Sequence, residues 1–304
     1  MASLNDSERQ IVDALVEFFK SGLRTPVLRR PSEIGLKYDE VFFQSLDGVP
    51  LEGWFIPAAS NKLIICNHFM PGNRYGYAGH LKGLEGFGGF EVNFLPYYKA
   101  LHEEGYNILT YDIRNHGQSG QGTGGIVSIG LFEYRDVLAS LQYVNSRPDT
   151  KNMVKGMMNI CLGADSALVA MDKKPEYFKD IKATIALQPI SIRPFIEKAL
   201  ENLNINVKEG AKYFDESIRN VSGFYLDELS PLEYAKSVRI PTMVVQVHND
   251  FRTRASDVES IFDNIQTKEK KLHWIEGTNE RFQGYNYFSK HPQLMLEWFN
   301  KYLQ

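Results

Sequence analysis

Short, largely apolar runs recur along the chain, and each is bounded by polar residues or glycine. Six such runs lie at 62–67, 107–111, 154–160, 183–187, 242–247 and 271–275. Near-continuous apolar strands are typical of a parallel sheet that is covered on both faces. Two earlier segments, 41–45 and 51–56, alternate apolar and polar residues around Asp47-Gly48, which predicts a hairpin.

Segments with helical periodicity separate these runs. They lie at 94–104, 131–145, 162–173 and 293–303. The alternation predicts an α/β fold, with a mostly parallel central sheet of about eight strands and helices on both faces. We expect one domain over residues 1–304, with residues 189–239 forming a helical lid inserted between the sixth and seventh strands. The first 30 residues carry charges throughout and predict an amphipathic helix rather than a secretion signal.

Composition narrows the class of protein. Of 304 residues, 43% are apolar and 23% are charged, so the chain can bury a sizeable core. The net charge is -3, and without a basic stripe we expect no nucleic-acid partner. No apolar stretch reaches the roughly 18 residues of a membrane span, so we expect a cytoplasmic protein that binds no membrane.

Cys161 lies where an apolar strand runs into a helix, in the stretch MMNICLGADSAL. A residue on such a sharp turn is exposed at the sheet edge, and its neighbours two positions away must be small. Here these neighbours are Asn159 and Gly163. The alternative is a small buried cysteine without chemical function, which is the usual state of a free cysteine. The other cysteine, Cys66, is 95 positions away, and this spacing argues against a disulfide scaffold.

Three segments together resemble the α/β-hydrolase fold. They are NHFMPG after the third strand, YDIRNHGQSG after the fourth, and NICLGA where that fold carries G-x-S-x-G. Cysteine followed by Leu-Gly resembles the dienelactone-hydrolase branch. The resemblance implies Cys161 as nucleophile, Asp250 as the acid after the seventh strand, and an oxyanion hole at Leu162, Phe69 and His68. Asp250 can instead be a turn or helix-capping residue.

The segment after the last strand departs from that pattern. No histidine lies between His273, inside the strand, and His291, so the register places Glu280 where the family has its catalytic histidine. Passing the thiol proton to a histidine costs roughly 2.7 kcal/mol, and passing it to a glutamate costs roughly 5.7 kcal/mol. A site of Cys161, Asp250 and Glu280 is therefore expected to be impaired in ordinary ester hydrolysis.

Two carboxylates in one cleft would share a proton, which suits proton transfer to and from a small carbonyl compound. Our hypothesis is therefore an enzyme shifted toward cyclisation, isomerisation or lyase action. Two alternatives stay open: a conventional cysteine-dependent hydrolase of esters, lactones or thioesters, and an inactive ligand-binding scaffold.

Aromatic residues and one histidine are the candidates for the substrate pocket. Tyr75 and Tyr77 lie in the long loop after the third strand, Tyr225 lies in the insertion, and His248 follows the seventh strand. Packing of the insertion on the core would use the same tyrosines. No metal-binding or nucleotide-binding motif is present, so we expect no metal and no cofactor. We expect a small-molecule substrate, and a homodimer is possible.

Overall fold

The computed structural model describes residues 4–304. It contains ten strands. They are β1 (Asp39–Gln44), β2 (Pro50–Ile56), β3 (Lys62–Asn67), β4 (Gly76–Ala78), β5 (Glu91–Asn93), β6 (Asn107–Tyr111), β7 (Val154–Ile160), β8 (Ile181–Leu187), β9 (Thr242–Val247) and β10 (Lys270–Ile275).

Eleven α-helices surround them in the described part of the chain. They are α1 (Asp6–Ser21), α2 (Leu95–Glu103), α3 (Tyr134–Ser146), α4 (Leu162–Lys173), α5 (Ile192–Asn202), α6 (Val207–Ser222), α7 (Leu232–Ala235), α8 (Ala255–Asn264), α9 (Arg281–Tyr285), α10 (Tyr287–Lys290) and α11 (Gln293–Tyr302).

Eight strands form one sheet in the order β1-β2-β6-β3-β7-β8-β9-β10. The strands β1 and β2 are an antiparallel hairpin, β2 pairs antiparallel with β6, and the other pairings are parallel. This confirms the predicted mostly parallel sheet. The strands β7 and β9 are buried almost throughout, as their largely apolar sequences predict. The small hairpin β4–β5 lies in the long loop after β3.

Four neighbouring strands bring the candidate chemistry to one edge of the sheet. In parallel strands the carboxyl ends point the same way, so the loops after β7, β8, β9 and β10 lie side by side. Cys161 follows β7, Gln188 follows β8, Asp250 follows β9 and Arg281 follows β10.

Two helical segments lie over this edge. Between β8 and β9, the sixth and seventh strands of the large sheet, the chain forms α5, α6 and α7. The N-terminal helix α1 packs against α6, and its Phe19 contacts Phe195 and Phe214 edge to face. The helix begins with a capping box between Asn5 and Glu8. No helix among residues 4–304 is both long enough and apolar enough to cross a bilayer.

Candidate active site

Cys161 occupies a strained turn at the N-terminus of α4. Its backbone has φ 48 and ψ -110, a conformation that a residue with a Cβ adopts at a cost. The turn also requires glycine two residues on, because a Cβ at Gly163 would lie 2.5 Å from the carbonyl oxygen of Asn67. The predicted sharp turn is thus present, and its geometry presents the sulfur at the sheet edge.

Two backbone N–H groups beside Cys161 are free to bind an oxyanion. Neither Leu162 nor Phe69 donates its N–H to any residue between 4 and 304. The loop that carries Phe69 is held against α4, because the N–H of Gly163 donates to the carbonyl of His68 over 3.0 Å. Free backbone amides stabilise a developing negative charge, and that of Leu162 also lies at the N-terminus of α4, where the helix dipole favours an anion.

His68 contributes its backbone to this loop, but its ring is fully used elsewhere. Its Nε2 accepts a hydrogen bond from the N–H of Ile113 at 2.9 Å, and its Nδ1 donates to the Phe69 carbonyl at 2.8 Å. Burial lowers the pKa of His68 to about 4, which keeps the ring neutral. The ring of His68 therefore holds the loop in place, and only the backbone of His68 lies at the predicted oxyanion site.

Arg281 is the charged group that the structure brings to Cys161. The residue is 2% exposed, and its guanidinium donates to Asp250 and to Tyr285 over 2.8 Å each, and to the carbonyl of Gln188. Burial opposes its charge, but attraction to Tyr285, Cys161 and Asp250 raises the pKa of Arg281 above its ordinary value. Arg281 therefore contacts Asp250 directly and shares the cavity wall with Cys161, the two residues for which the resemblance implies the acid and the nucleophile.

Tyr285 completes the surroundings of the sulfur. Its ring stacks on Phe69 with 4.1 Å between the centroids. Burial raises the pKa of Tyr285 well above its ordinary value; the charge of Arg281 opposes this shift, and interaction of the hydroxyl with Cys161 adds to it. The hydroxyl is consequently a proton donor at neutral pH and not a base.

Asp250 is positioned by three donors. Its Oδ2 accepts from Arg281 at 2.8 Å and from the Gln246 amide at 3.0 Å, and its Oδ1 accepts from the N–H of Arg252 at 2.9 Å. The carboxylate is therefore next to Arg281, as an acid would be next to a histidine.

Glu280, expected in the histidine position, has a different place. Its carboxylate caps α9 by accepting from the N–H of Phe282 at 3.2 Å, and it lies 3.6 Å from Nε of Arg252. The residue is not part of the cavity wall that contains Cys161. The backbone of Glu280 is extended, so its side chain and that of Arg281 point in different directions. The structure thus joins Cys161 and Asp250 through Arg281 and does not bring Glu280 to the sulfur.

A narrow cavity of about 40 Å³ lies beside Cys161. Its wall is mainly aromatic and aliphatic, and its four other side chains are Cys161, Arg252, Arg281 and Tyr285. The apolar wall residues are Phe18, Phe19, Met70, Phe87, Ile129, Leu162, Ile190, Ile192, Phe195 and Phe282. The helices α1 and α5 thus cover the cavity, and an apolar ligand fits its chemistry.

None of the four expected substrate-binding side chains lines this cavity. The Tyr75 hydroxyl donates to Glu91, and the Tyr77 hydroxyl donates to the carbonyl of Leu84. Tyr225 lies on the outer surface, where Arg219 covers its ring.

His248 also lies outside the cavity wall. Its ring stacks on Trp274, and its Nδ1 is hydrogen-bonded to the Glu276 carboxylate at 2.8 Å. The cavity aromatics come instead from α1, α5, α9 and the loop around Phe87. In the sequence, the apolar face of the first helix was the feature that could have indicated its contribution to the cavity wall.

Comparisons with known proteins agree with this architecture. No family model matches the chain. The uncharacterized protein YqkD of Bacillus subtilis (strain 168) is 23% identical over 177 residues, which is 57% of this chain, and the match spans only 55% of YqkD.

Among solved structures, the Pyrococcus furiosus esterase Pf2001 superposes with a TM-score of 0.69 at 20% identity, over 93% of this chain and 98% of the esterase. Dienelactone hydrolase from Anabaena variabilis superposes with a TM-score of 0.55 at 16% identity, over 88% and 99% of the two chains. An esterase of Exiguobacterium antarcticum gives a TM-score of 0.56 at 14% identity, over 87% and 99%. The chain therefore has the α/β-hydrolase fold.

Proposed function

We propose that this protein is an enzyme in which Cys161 forms a covalent acyl intermediate with a small, largely apolar carbonyl compound. The observation that carries the proposal is the placement of Cys161 on a strained turn, beside two free N–H groups and the guanidinium of Arg281. A nucleophile and an oxyanion hole are the two parts that acyl transfer needs first.

Arg281 defines which acyl compounds can react. A guanidinium stabilises a neighbouring anion, but it cannot accept a proton as histidine does. The Cys161 thiolate attacks the carbonyl carbon, the oxygen takes up the negative charge between Leu162 and Phe69, and collapse expels the leaving group. Without an imidazolium to protonate it, the leaving group must depart as a stable anion. This favours thioesters, aryl esters and enol esters or lactones over alkyl esters.

Two other functions are less well supported. Proton exchange between Asp250 and Glu280 is not part of the proposal. The Asp250 carboxylate binds Arg281, whereas the Glu280 carboxylate caps α9. Of the charged residues in the segment after β10, it is Arg281 that interacts with Cys161. Conventional hydrolysis would require a base to activate water in the second half-reaction, and the cavity wall supplies none among the described residues.

Burst kinetics with p-nitrophenyl butyrate test the proposal. We expect about one equivalent of nitrophenolate to be released quickly, followed by turnover roughly 10² to 10⁴ times slower than an imidazole base would allow. Cys161→Ala should abolish the burst. The matched control is Cys66→Ala, since Cys66 is the other free cysteine and is buried in β3, and this variant should retain the burst.

Two results would contradict the proposal. One is a burst that survives Cys161→Ala. The other is the absence of any burst or turnover with aryl esters and thioesters alike, which would leave an inactive ligand-binding scaffold.

A further inference from the structure

The cavity contains a second arginine that the proposed acylation step does not use. Arg252 lies in the cavity wall with Cys161 and Arg281. Its Nε is fully buried without a hydrogen-bond partner, and its guanidinium donates to no residue between 4 and 304. The nearest carboxylate oxygen, on Glu280, is 3.6 Å away. The Arg252 side chain is 18% exposed, so its terminal N–H groups remain accessible from the cavity mouth, and a guanidinium with such unused donors is suited to an anion.

Three aromatic rings surround the guanidinium of Arg252 and stabilise its positive charge beside the cavity. Its guanidinium carbon lies 5.4 Å from the ring centroid of Phe87, 4.6 Å from that of Phe251 and 5.7 Å from that of Phe282. Aromatic faces stabilise a cation without using its N–H groups. The donors of Arg252 therefore stay available to a bound molecule.

The same cavity lacks a proton acceptor. Among the described residues, its wall includes no histidine, carboxylate or lysine. Arginine stays protonated, and burial keeps Tyr285 protonated by raising the pKa of its hydroxyl. Water, alcohols and amines each lose a proton when they attack an acyl group, so each needs a base. A thiol with a pKa of about 8.5 is already a few per cent thiolate at neutral pH and needs none.

We propose that the acyl acceptor is a small thiol, and that the protein exchanges acyl groups between thiols. This inference rests on the proposed formation of acyl-Cys161. In the first step the Cys161 thiolate attacks the thioester carbonyl, a carbon–sulfur bond forms, and the donor thiolate leaves.

In the second step an acceptor thiolate attacks the acyl-Cys161 carbonyl, forms a new thioester and releases the Cys161 thiolate. Each step consumes one thiolate and produces one, so no proton is transferred. Arg281 stabilises the Cys161 thiolate, and Arg252 stabilises the donor or acceptor thiolate.

The ratio of acyl transfer to hydrolysis for one thioester donor tests this inference. The wild-type protein is incubated with the butyryl thioester of N-acetylcysteamine and millimolar 2-mercaptoethanol, and the new thioester and free butyrate are separated by chromatography. We expect the new thioester to exceed free butyrate by at least about tenfold, because hydrolysis lacks the roughly 10² to 10⁴ that a general base supplies.

Variants separate the roles of the two arginines. Arg252→Met should lower the ratio of exchange to hydrolysis about tenfold, which corresponds to about 1.4 kcal/mol. The matched control is Arg254→Met, because Arg254 is partly exposed and pairs with Glu201, and it should leave the ratio unchanged. Arg281→His supplies an imidazole next to Asp250 and should raise hydrolysis.

Free butyrate produced as fast as the new thioester by the wild type, with acyl-Cys161 detectable by mass spectrometry, would overturn the thiol acceptor and leave the proposed acylation intact. No acyl-Cys161, together with equal exchange in Cys161→Ala, would overturn both. These outcomes use the wild-type protein and do not depend on the folding of the Arg281 variant.

Discussion

The guanidinium of Arg281 donates to the carboxylate of Asp250 over 2.8 Å, and both side chains are only 2% exposed. This ion pair joins the loop after β9 to the loop after β10. Because Arg281 also lines the cavity that contains Cys161, the pair connects the loop after β9 to this cavity.

Breaking this pair from one side should destabilise the fold. Arg281→Met leaves the Asp250 carboxylate buried without its cation, and we expect a loss of about 3–5 kcal/mol in the free energy of unfolding. Arg281→Met combined with Asp250→Asn should recover most of that loss. Urea denaturation of the wild type, both single variants and the double variant measures the coupling. Strictly additive effects would show that the pair is not an energetic unit.

The backbone strain at Cys161 predicts an unusual stability order. Cys161→Gly should be more stable than Cys161→Ala by about 1 kcal/mol, because only alanine keeps a Cβ at φ 48. The control compares alanine with glycine at position 164. Ala164 lies inside α4, so Ala164→Gly should cost about 1 kcal/mol. Thermal unfolding measures both pairs, and the same order at the two positions would contradict the strained turn.

Acid should destabilise the protein partly through a buried histidine. Burial lowers the pKa of His116 to about 4, and its neighbour His68 lowers it further. The unfolded chain, with a histidine pKa near 6.5, takes up the proton first, so this contribution to stability is lost as the pH falls from about 6.5 to 4. The loss amounts to about 3 kcal/mol.

The variant His116→Asn isolates that contribution. Asparagine can still donate to the Arg114 carbonyl, which His116 contacts through Nδ1 at 2.8 Å. The difference in unfolding free energy between wild type and variant should shrink by about 3 kcal/mol between pH 7 and pH 4. A difference that stays constant over this range would show that His116 does not titrate as described.

Gln188 is a positioning residue for Arg281. Its backbone carbonyl accepts from the guanidinium of Arg281, and its amide Nε2 donates to the backbone carbonyl of Arg281 at 2.8 Å. Gln188→Ala removes the second bond, so we expect the burst rate to fall about tenfold while the half-saturating ester concentration stays nearly constant. Gln266→Ala, whose amide contacts only a surface carbonyl, is the control. An unchanged burst rate in Gln188→Ala would contradict the positioning role.

The sheet could be predicted because burial on two faces leaves a simple signal. The strands β7 and β9 are largely apolar and almost entirely buried, and the observed bounds 154–160 and 242–247 coincide with the predicted ones. The hairpin around Asp47-Gly48 could be predicted from a different signal, because alternation of apolar and polar residues reports burial of one face only. Periodicity reports burial directly, so architecture follows from it.

The site could be predicted only in part. The elbow at Cys161 has a local signature, because the close approach of Asn67 demands glycine at 163. No local signature shows whether Glu280 or Arg281 points toward the cavity, because one step along an extended backbone reverses the direction of a side chain. The cavity wall from α1 depends on contacts between segments far apart in sequence, as between Phe19 and Phe195.

Intact-protein mass spectrometry after brief exposure to p-nitrophenyl butyrate tests the central claim most directly. We expect a single added butyryl group, located at Cys161 by peptide mapping, that persists in water and disappears within the mixing time when a small thiol is added. An unmodified protein, or a butyryl group that maps to any other residue and remains in Cys161→Ala, would contradict it.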